Sequence, residues 1–157
     1  MKAAVNTWRR FWRLDATERG IVLEAAAALA ATWAGLRLSN FRGWKSVLGL
    51  FVPQADSRSS ALPADLLATA RIIAQMESSA ARHLFFTPNC LERSLVLWWL
   101  LRRRRIPVEL RIGGRKESGR FEAHAWVEVA GAIFDDAAGE HRGFAPFDAR
   151  SIEAESR

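Results

Sequence analysis

The sequence predicts an α+β fold in which N-terminal helices lead to a central helix that carries a lone cysteine at its N-terminus and packs on a small antiparallel sheet. Three observations predict it. Apolar residues recur at three- and four-residue steps through the first two thirds of the chain, which is helical spacing. The period then changes to two, with Val108, Leu110 and Ile112 alternating with Glu109, Arg111 and Gly113. At the junction stands Cys90, the single cysteine, where a helix begins.

Composition bounds the rest. The 157 residues, half of them hydrophobic, with seven Trp and nine Phe, supply the core of one domain over residues 1–157. A polar, serine-rich loop, Gln54 to Ser60, divides a helical part (residues 1–53) from the part that carries the cysteine (residues 61–157). One Cys excludes an intramolecular disulfide, and no signal peptide is legible, so a reducing cytoplasm is the expected compartment. His83, His124 and His141 with Cys90 have no C-x-x-C or H-x-x-x-H spacing, so neither a metal nor another cofactor is expected. The formal charge of +6 is a moderate basic excess. Its densest run, Arg102 to Arg105, follows an apolar helix and reads as a solvated helix end complementing the dipole. The Trp98-Trp99 pair lies inside the apolar run, not on a basic face, which argues against nucleic acid.

Taken in order, the chain opens with Trp8-Arg9-Arg10-Phe11-Trp12-Arg13, an aromatic basic patch. Asp15-Ala16-Thr17-Glu18 is a capping box with Asp at the cap, so a helix starts there and runs through the alanine-rich segment to about Leu38. Its apolar span, Ile21 to Leu36, contains Glu24 and falls short of the roughly 20 apolar residues a bilayer needs, so a bundle helix is expected over a membrane span. A membrane-surface or partner-protein face is the alternative, suggested by the Arg/Trp-rich flank. Phe41, Trp44, Leu48 and Phe51 mark a short helix ending before Pro53. Pro63 starts another, with the stripe Leu66, Leu67, Ala70, Ile73 and Met76, continuing to about Arg82; His83 near its end reads as a capping or surface residue.

In Thr87-Pro88-Asn89-Cys90, Thr87 suits the N-cap and Pro88 the first helical position, which makes Cys90 the third residue of the helix, close to amide N–H groups with no intrahelical partner. Thiols in such places are favoured as thiolates. Leu95 to Leu101 is almost wholly apolar, as a helix buried on all sides would be. Ile106-Pro107 breaks it. A strand over Val108 to Ile112 follows, and Gly113-Gly114 opens a turn region extending to Gly119. A second strand, Phe121 to Val129, puts His124, Trp126 and Glu128 on one face and Ala123, Ala125, Val127 and Val129 on the other. Ala130-Gly131 is a two-residue hairpin connection, and Ala132 to Asp136 returns as a third strand.

This layout gives chemistry a geometry. A nucleophile at a helix start, an imidazole on one strand and a carboxylate on the next can converge if the helix packs on the sheet. Cys90, His124 and Asp136 supply them: His124 would take the thiol proton and return it to a leaving amine, and Asp136 would orient the ring. The Cys90 backbone N–H, with the Asn89 side chain, would offer an oxyanion hole. Trp126 would shield the imidazole, although core packing explains it equally well. A buried, inert cysteine with a core histidine also satisfies the spacing.

Asn89-Cys90-Leu91-Glu92-Arg93-Ser94-Leu95, Leu110-Arg111-Ile112-Gly113 with Arg115-Lys116, Ala123-His124-Ala125-Trp126-Val127-Glu128, Asp136 and Ala145-Pro146-Phe147 resemble, in collinear order, the transglutaminase-like leader peptidases of lasso-peptide biosynthesis. The resemblance covers Phe86 to Phe147. It implies a transglutaminase-like fold and a papain-type thiol protease that removes the leader from a ribosomally made precursor peptide, so that an ATP-dependent macrolactam synthetase, the lasso cyclase, can close the core peptide. By position it carries the family's catalytic residues onto Cys90, His124 and Asp136. It implies the stand-alone peptidase of a split system, working with a separate leader-binding protein.

Asp135 adjoins Asp136 on the opposite side of the strand, and Asp148 is an outside candidate; the family pattern favours Asp136. Glu128 is expected to pair with Arg111 or Arg115, and His141 to lie in a loop. Two other readings use the same residues: an acyl transferase, where an amine replaces water, and a noncatalytic peptide-binding or scaffold protein.

Overall fold

Asp15 caps a helix where its sequence predicts one. In a computed structural model, which describes residues 12–52, 63–117, 120–134 and 143–147, the Asp15 carboxylate accepts the Glu18 N–H at 2.7 Å and the Glu18 carboxylate accepts the Asp15 N–H at 3.2 Å. Helix α1 (Ala16–Leu38) then runs 23 residues to a cap at Ser39. Its buried stripe, Ile21, Ala25, Ala28, Leu29, Thr32 and Gly35, is mostly small, so neighbouring helices approach closely. At Gly35 a Cβ would collide with the Trp44 ring of α2 (Phe41–Leu50), and the Trp44 indole N–H donates to Thr32 Oγ1 at 3.2 Å. By length and composition alone α1 reaches what a membrane crossing needs, a test that core helices also pass.

Helix α3 (Ala64–Ala81) begins with Pro63 at the cap and buries Ala70, Ile73, Ala74, Glu77 and Ala80. Leu66, Leu67 and Met76 of the predicted stripe pack half-buried on the same core. Helix α4 (Cys90–Arg103) fills the centre: Leu95, Val96, Leu97, Trp98, Leu100 and Leu101 are buried, between α1 and α3 on one side and the sheet on the other. The arginines at its end are more than a solvated terminus. Arg103 and Arg104 both reach Glu24 of α1, at 3.2 and 2.7 Å, tying the two helices together.

The sheet comprises β1 (Glu109–Glu117), β2 (Arg120–Val129), β3 (Ala132–Ile133) and β4 (Ala145–Pro146), antiparallel throughout and ordered β3-β2-β1-β4. The architecture is α+β, as predicted. Ala125, Val127 and Val129 are buried, and Val127 and Val129 join the helical core. Ala130 and Gly131 take positive φ of 49° and 78°, the backbone a two-residue hairpin requires.

The structure corrects the sequence reading at two places in the sheet. Gly113 and Gly114 lie inside β1, paired with His124 and Ala123, and do not open a turn. Their lack of a side chain is used for close approach: a Cβ on Gly113 would stand 2.7 Å from the Trp126 ring, and one on Gly114 would stand 2.6 Å from the rings of Phe121 and Phe147. The second is the third strand, read as Ala132 to Asp136: β3 covers Ala132–Ile133 and leaves Phe134 outside it. A fourth strand that the sequence did not suggest, β4, pairs Ala145 and Pro146 with Gly114 and Gly113 at the free edge of β1. Proline is tolerated there because an edge strand has one side that need not donate.

Candidate active site at the start of helix α4

Cys90 is the first residue of α4, not the third, because Asn89 is the cap. The Asn89 side-chain oxygen accepts the Glu92 N–H at 2.9 Å, and the Glu92 carboxylate accepts the Asn89 N–H at 2.9 Å. This reciprocal box satisfies two donors at once, where a Thr87 cap would satisfy one. It also commits the oxygen of Asn89 to the helix cap. Cys90 is half-buried, at the end of the helix where the peptide dipoles leave a positive partial charge.

Two ion pairs fix this helix start. The free oxygen of Glu92, whose side chain is only 3% exposed, accepts from Arg37 Nη1 of α1 at 3.2 Å. Arg37 lies over the Trp33 ring at 4.1 Å, and Trp33 packs on Phe86, just ahead of the cysteine, with ring centres 5.2 Å apart. On the other side Arg93 grips the buried Glu77 of α3 with two bonds, of 3.2 and 3.0 Å, and Ser78 with a third of 2.9 Å. Cys90 thus starts a helix held by α1 and by α3.

The sheet is reached through Ser94, one turn beyond Cys90. Its hydroxyl donates to the Ala125 carbonyl at 2.9 Å in the buried interior. Ala125 follows His124, so the bond sets α4, one turn beyond Cys90, against the strand that carries the imidazole. His124 is half-buried, with its ring parallel to Trp126 (centres 6.1 Å apart, planes 16° apart) and 5.3 Å from the ring of Phe144. Trp126 is fixed in turn: its indole N–H donates to Glu128 at 2.8 Å, and Arg111 donates to the other Glu128 oxygen at 3.2 Å. The Glu128–Arg111 pair is one of the two expected; Arg115 instead pairs with Glu122.

Among the described residues no hydrogen bond joins Cys90 to His124, so what the structure brings together is the two elements that carry them. Asp136, Asp135, Asp148 and His141 lie outside the described residues. His83, exposed at the end of α3, has its ring Nδ1 2.6 Å from the Ser79 carbonyl oxygen, a local helix-end contact. A cavity of about 200 Å³ sits at the far end of the sheet, lined by Val108, Glu109, Arg111 and Glu128 among others and by neither Cys90 nor His124.

Residues 33–148 match the family model described as the transglutaminase-like superfamily. The chain belongs to that superfamily. No curated protein and no solved structure matches it. The matched span begins at Trp33 and therefore includes the Trp33–Arg37 brace as well as Cys90, His124 and Asp136. Cysteine proteases are among the members of this superfamily.

Sequence reasoning missed several residues of this site. The Asn89-x-x-Glu92 box was readable as a capping signature, and would have moved the helix start by two residues. Arg37, Trp33, Glu77 and Ser94 carry no local signal, since their partners lie far away in sequence. Phe144 likewise meets His124 only because β4 closes the sheet edge beside β1.

Proposed function

We propose that this chain is a cysteine peptidase that removes the leader from a lasso-peptide precursor at the leader–core junction. The observation that supports the reading is the Ser94–Ala125 hydrogen bond, which ties the helix that starts at Cys90 to the strand bearing His124, one residue from it, together with the collinear motif set around those residues. In this reading the Cys90 sulfur attacks the scissile carbonyl carbon after His124 takes its proton. The carbon–nitrogen bond breaks, the leaving amine receives that proton, and a thioester to the leader remains. Water, deprotonated by His124, then hydrolyses the thioester and restores the thiol. Asp136 orients the imidazole, and the Cys90 backbone N–H contributes to holding the oxyanion.

The partners are the precursor peptide, a separate leader-binding protein and the ATP-dependent lasso cyclase, all in the cytoplasm. The test is mass spectrometry of a precursor incubated with the full chain and the leader-binding protein. Wild type should release intact leader and core, and Cys90→Ala should leave the precursor uncut. Cleavage by Cys90→Ala at the normal rate would overturn the proposal. The superfamily also supports an acyl transferase, in which an amine takes the place of water on the same thioester. Leader joined to the amine, in place of the free acid, would establish that reading.

A further inference from the structure

We infer that Phe144 is a positioning residue for His124, closing an aromatic slot that holds the imidazole with its nitrogen edge free. The inference rests on the assignment of His124 as the base for Cys90. The register supplies the geometry. His124 pairs with Gly113 of β1, and Gly113 pairs on its other side with Pro146 of β4. His124, Gly113 and Pro146 therefore share one face of the sheet, and Phe144, two residues before Pro146, lies on it too.

Along that face Trp126 is on the Glu128 side of His124, whereas Phe144 is on the Arg115–Glu122 side. The imidazole stands between two rings, parallel to one and tilted 39° to the other. Both rings are themselves anchored. Trp126 is bonded to Glu128, which Arg111 holds, and Trp126 lies across the bare backbone of Gly113. Phe144 carries the Arg115 guanidinium 4.6 Å above its ring, and Arg115 is bonded to Glu122 at 2.8 Å.

Rings on two sides of an imidazole along the strand restrict its swing about the Cα–Cβ bond, and among the described residues no side-chain hydrogen bond takes either His124 nitrogen. That is what a base must have: freedom to exchange a proton and little freedom to move away. Gly113 matters because any side chain there would displace Trp126. The neighbouring aromatics Phe121 and Phe147 stack on the other face of the sheet, over Gly114, and do not substitute for Phe144.

The experiment uses the full chain with 13C-labelled histidine. Three histidine rings are present, so His→Ala variants assign each signal. Cys90 alkylation by iodoacetamide near neutral pH gives a second readout that requires no peptide substrate. Phe144→Leu should move the His124 ring signals, leave those of His83 in place and slow alkylation by roughly tenfold or more, the scale of a misplaced group. Phe144→Tyr, which keeps the ring, should restore both readouts. Circular dichroism and the melting temperature of each variant separate positioning from a loss of fold.

His124→Ala, run in parallel, separates the two claims. If His124→Ala slows alkylation and Phe144→Leu alters neither the rate nor the His124 signals, the positioning role is overturned and the base assignment stands. If His124→Ala leaves alkylation unchanged, the base assignment falls and the positioning role falls with it. Moved His124 signals and slowed alkylation in Phe144→Leu, both restored by Phe144→Tyr, establish the role.

Discussion

Ser94 donates its hydroxyl to the carbonyl of Ala125 across 2.9 Å of buried interior, and this bond joins α4, one turn beyond Cys90, to the strand that carries His124. The two residues are 31 positions apart in the chain, and neither is a candidate for chemistry. Their neighbours are: Cys90 stands one turn before Ser94, and His124 immediately precedes Ala125.

Ser94→Ala is expected to destabilise the fold by about 1–3 kcal/mol, the cost of leaving a buried acceptor without its donor. Urea denaturation measures it. The same variant should alkylate more slowly at Cys90, since the helix start loses its tie to β2. An unchanged midpoint would show that the Ala125 carbonyl is satisfied without Ser94.

The Arg93–Glu77 pair should respond asymmetrically. The Glu77 side chain is fully buried, whereas that of Arg93 is 28% exposed. Arg93→Met removes the guanidinium from a buried carboxylate and should cost roughly 3–5 kcal/mol. Glu77→Gln leaves an amide that still accepts from Arg93 and should cost less. Equal losses in denaturation would contradict the burial difference.

Gly113→Ala tests the packing of Trp126. The added Cβ would lie 2.7 Å from the indole ring and 2.6 Å from the Ala145 carbonyl oxygen, and the backbone oxygen has little freedom to yield. A loss of about 1–3 kcal/mol is expected for overpacking of this kind. Trp126 fluorescence is masked by six other tryptophans, so the shift of its indole N–H resonance is the better local readout.

Lys45 gives a pH dependence. Its ammonium lies 5.9 Å from the Phe41 ring and 5.8 Å from the Trp98 ring, and burial, with like charge on Arg102, holds its pKa below the ordinary 10.5. The unfolded chain therefore binds more protons at this site between the lowered value and 10.5, and stability rises with pH through that window. Below the window the penalty for burying the charge is fully present. Lys45→Met should raise the melting temperature at pH 7, with a gain that shrinks as pH approaches 10.5. A lower melting temperature at pH 7 would mean that attraction to the two rings outweighs desolvation.

Much of this protein follows from residues close together in sequence. Asp15-Ala16-Thr17-Glu18 fixes the start of α1 because both halves of its capping box lie within one turn. The alternation of Ala125, Val127 and Val129 with His124, Trp126 and Glu128 fixes the two faces of β2, since a strand has period two whatever it packs against. Ala130-Gly131 sets the hairpin for the same local reason.

The tertiary structure decided what local pattern leaves open. Two glycines read as a turn by themselves; within the sheet they are the positions where Trp126 and the Phe121–Phe147 stack come close to the backbone. Ser94 has no sequence neighbour that predicts Ala125, and Arg37 none that predicts Glu92. The sequence by itself determined the cap of α1, the strand phase and the order in which Cys90 and His124 appear. Only the folded chain decided which partners hold Cys90 and His124, because those partners come from α1, α3 and β4, and the contacts form only when the shared core brings these elements together.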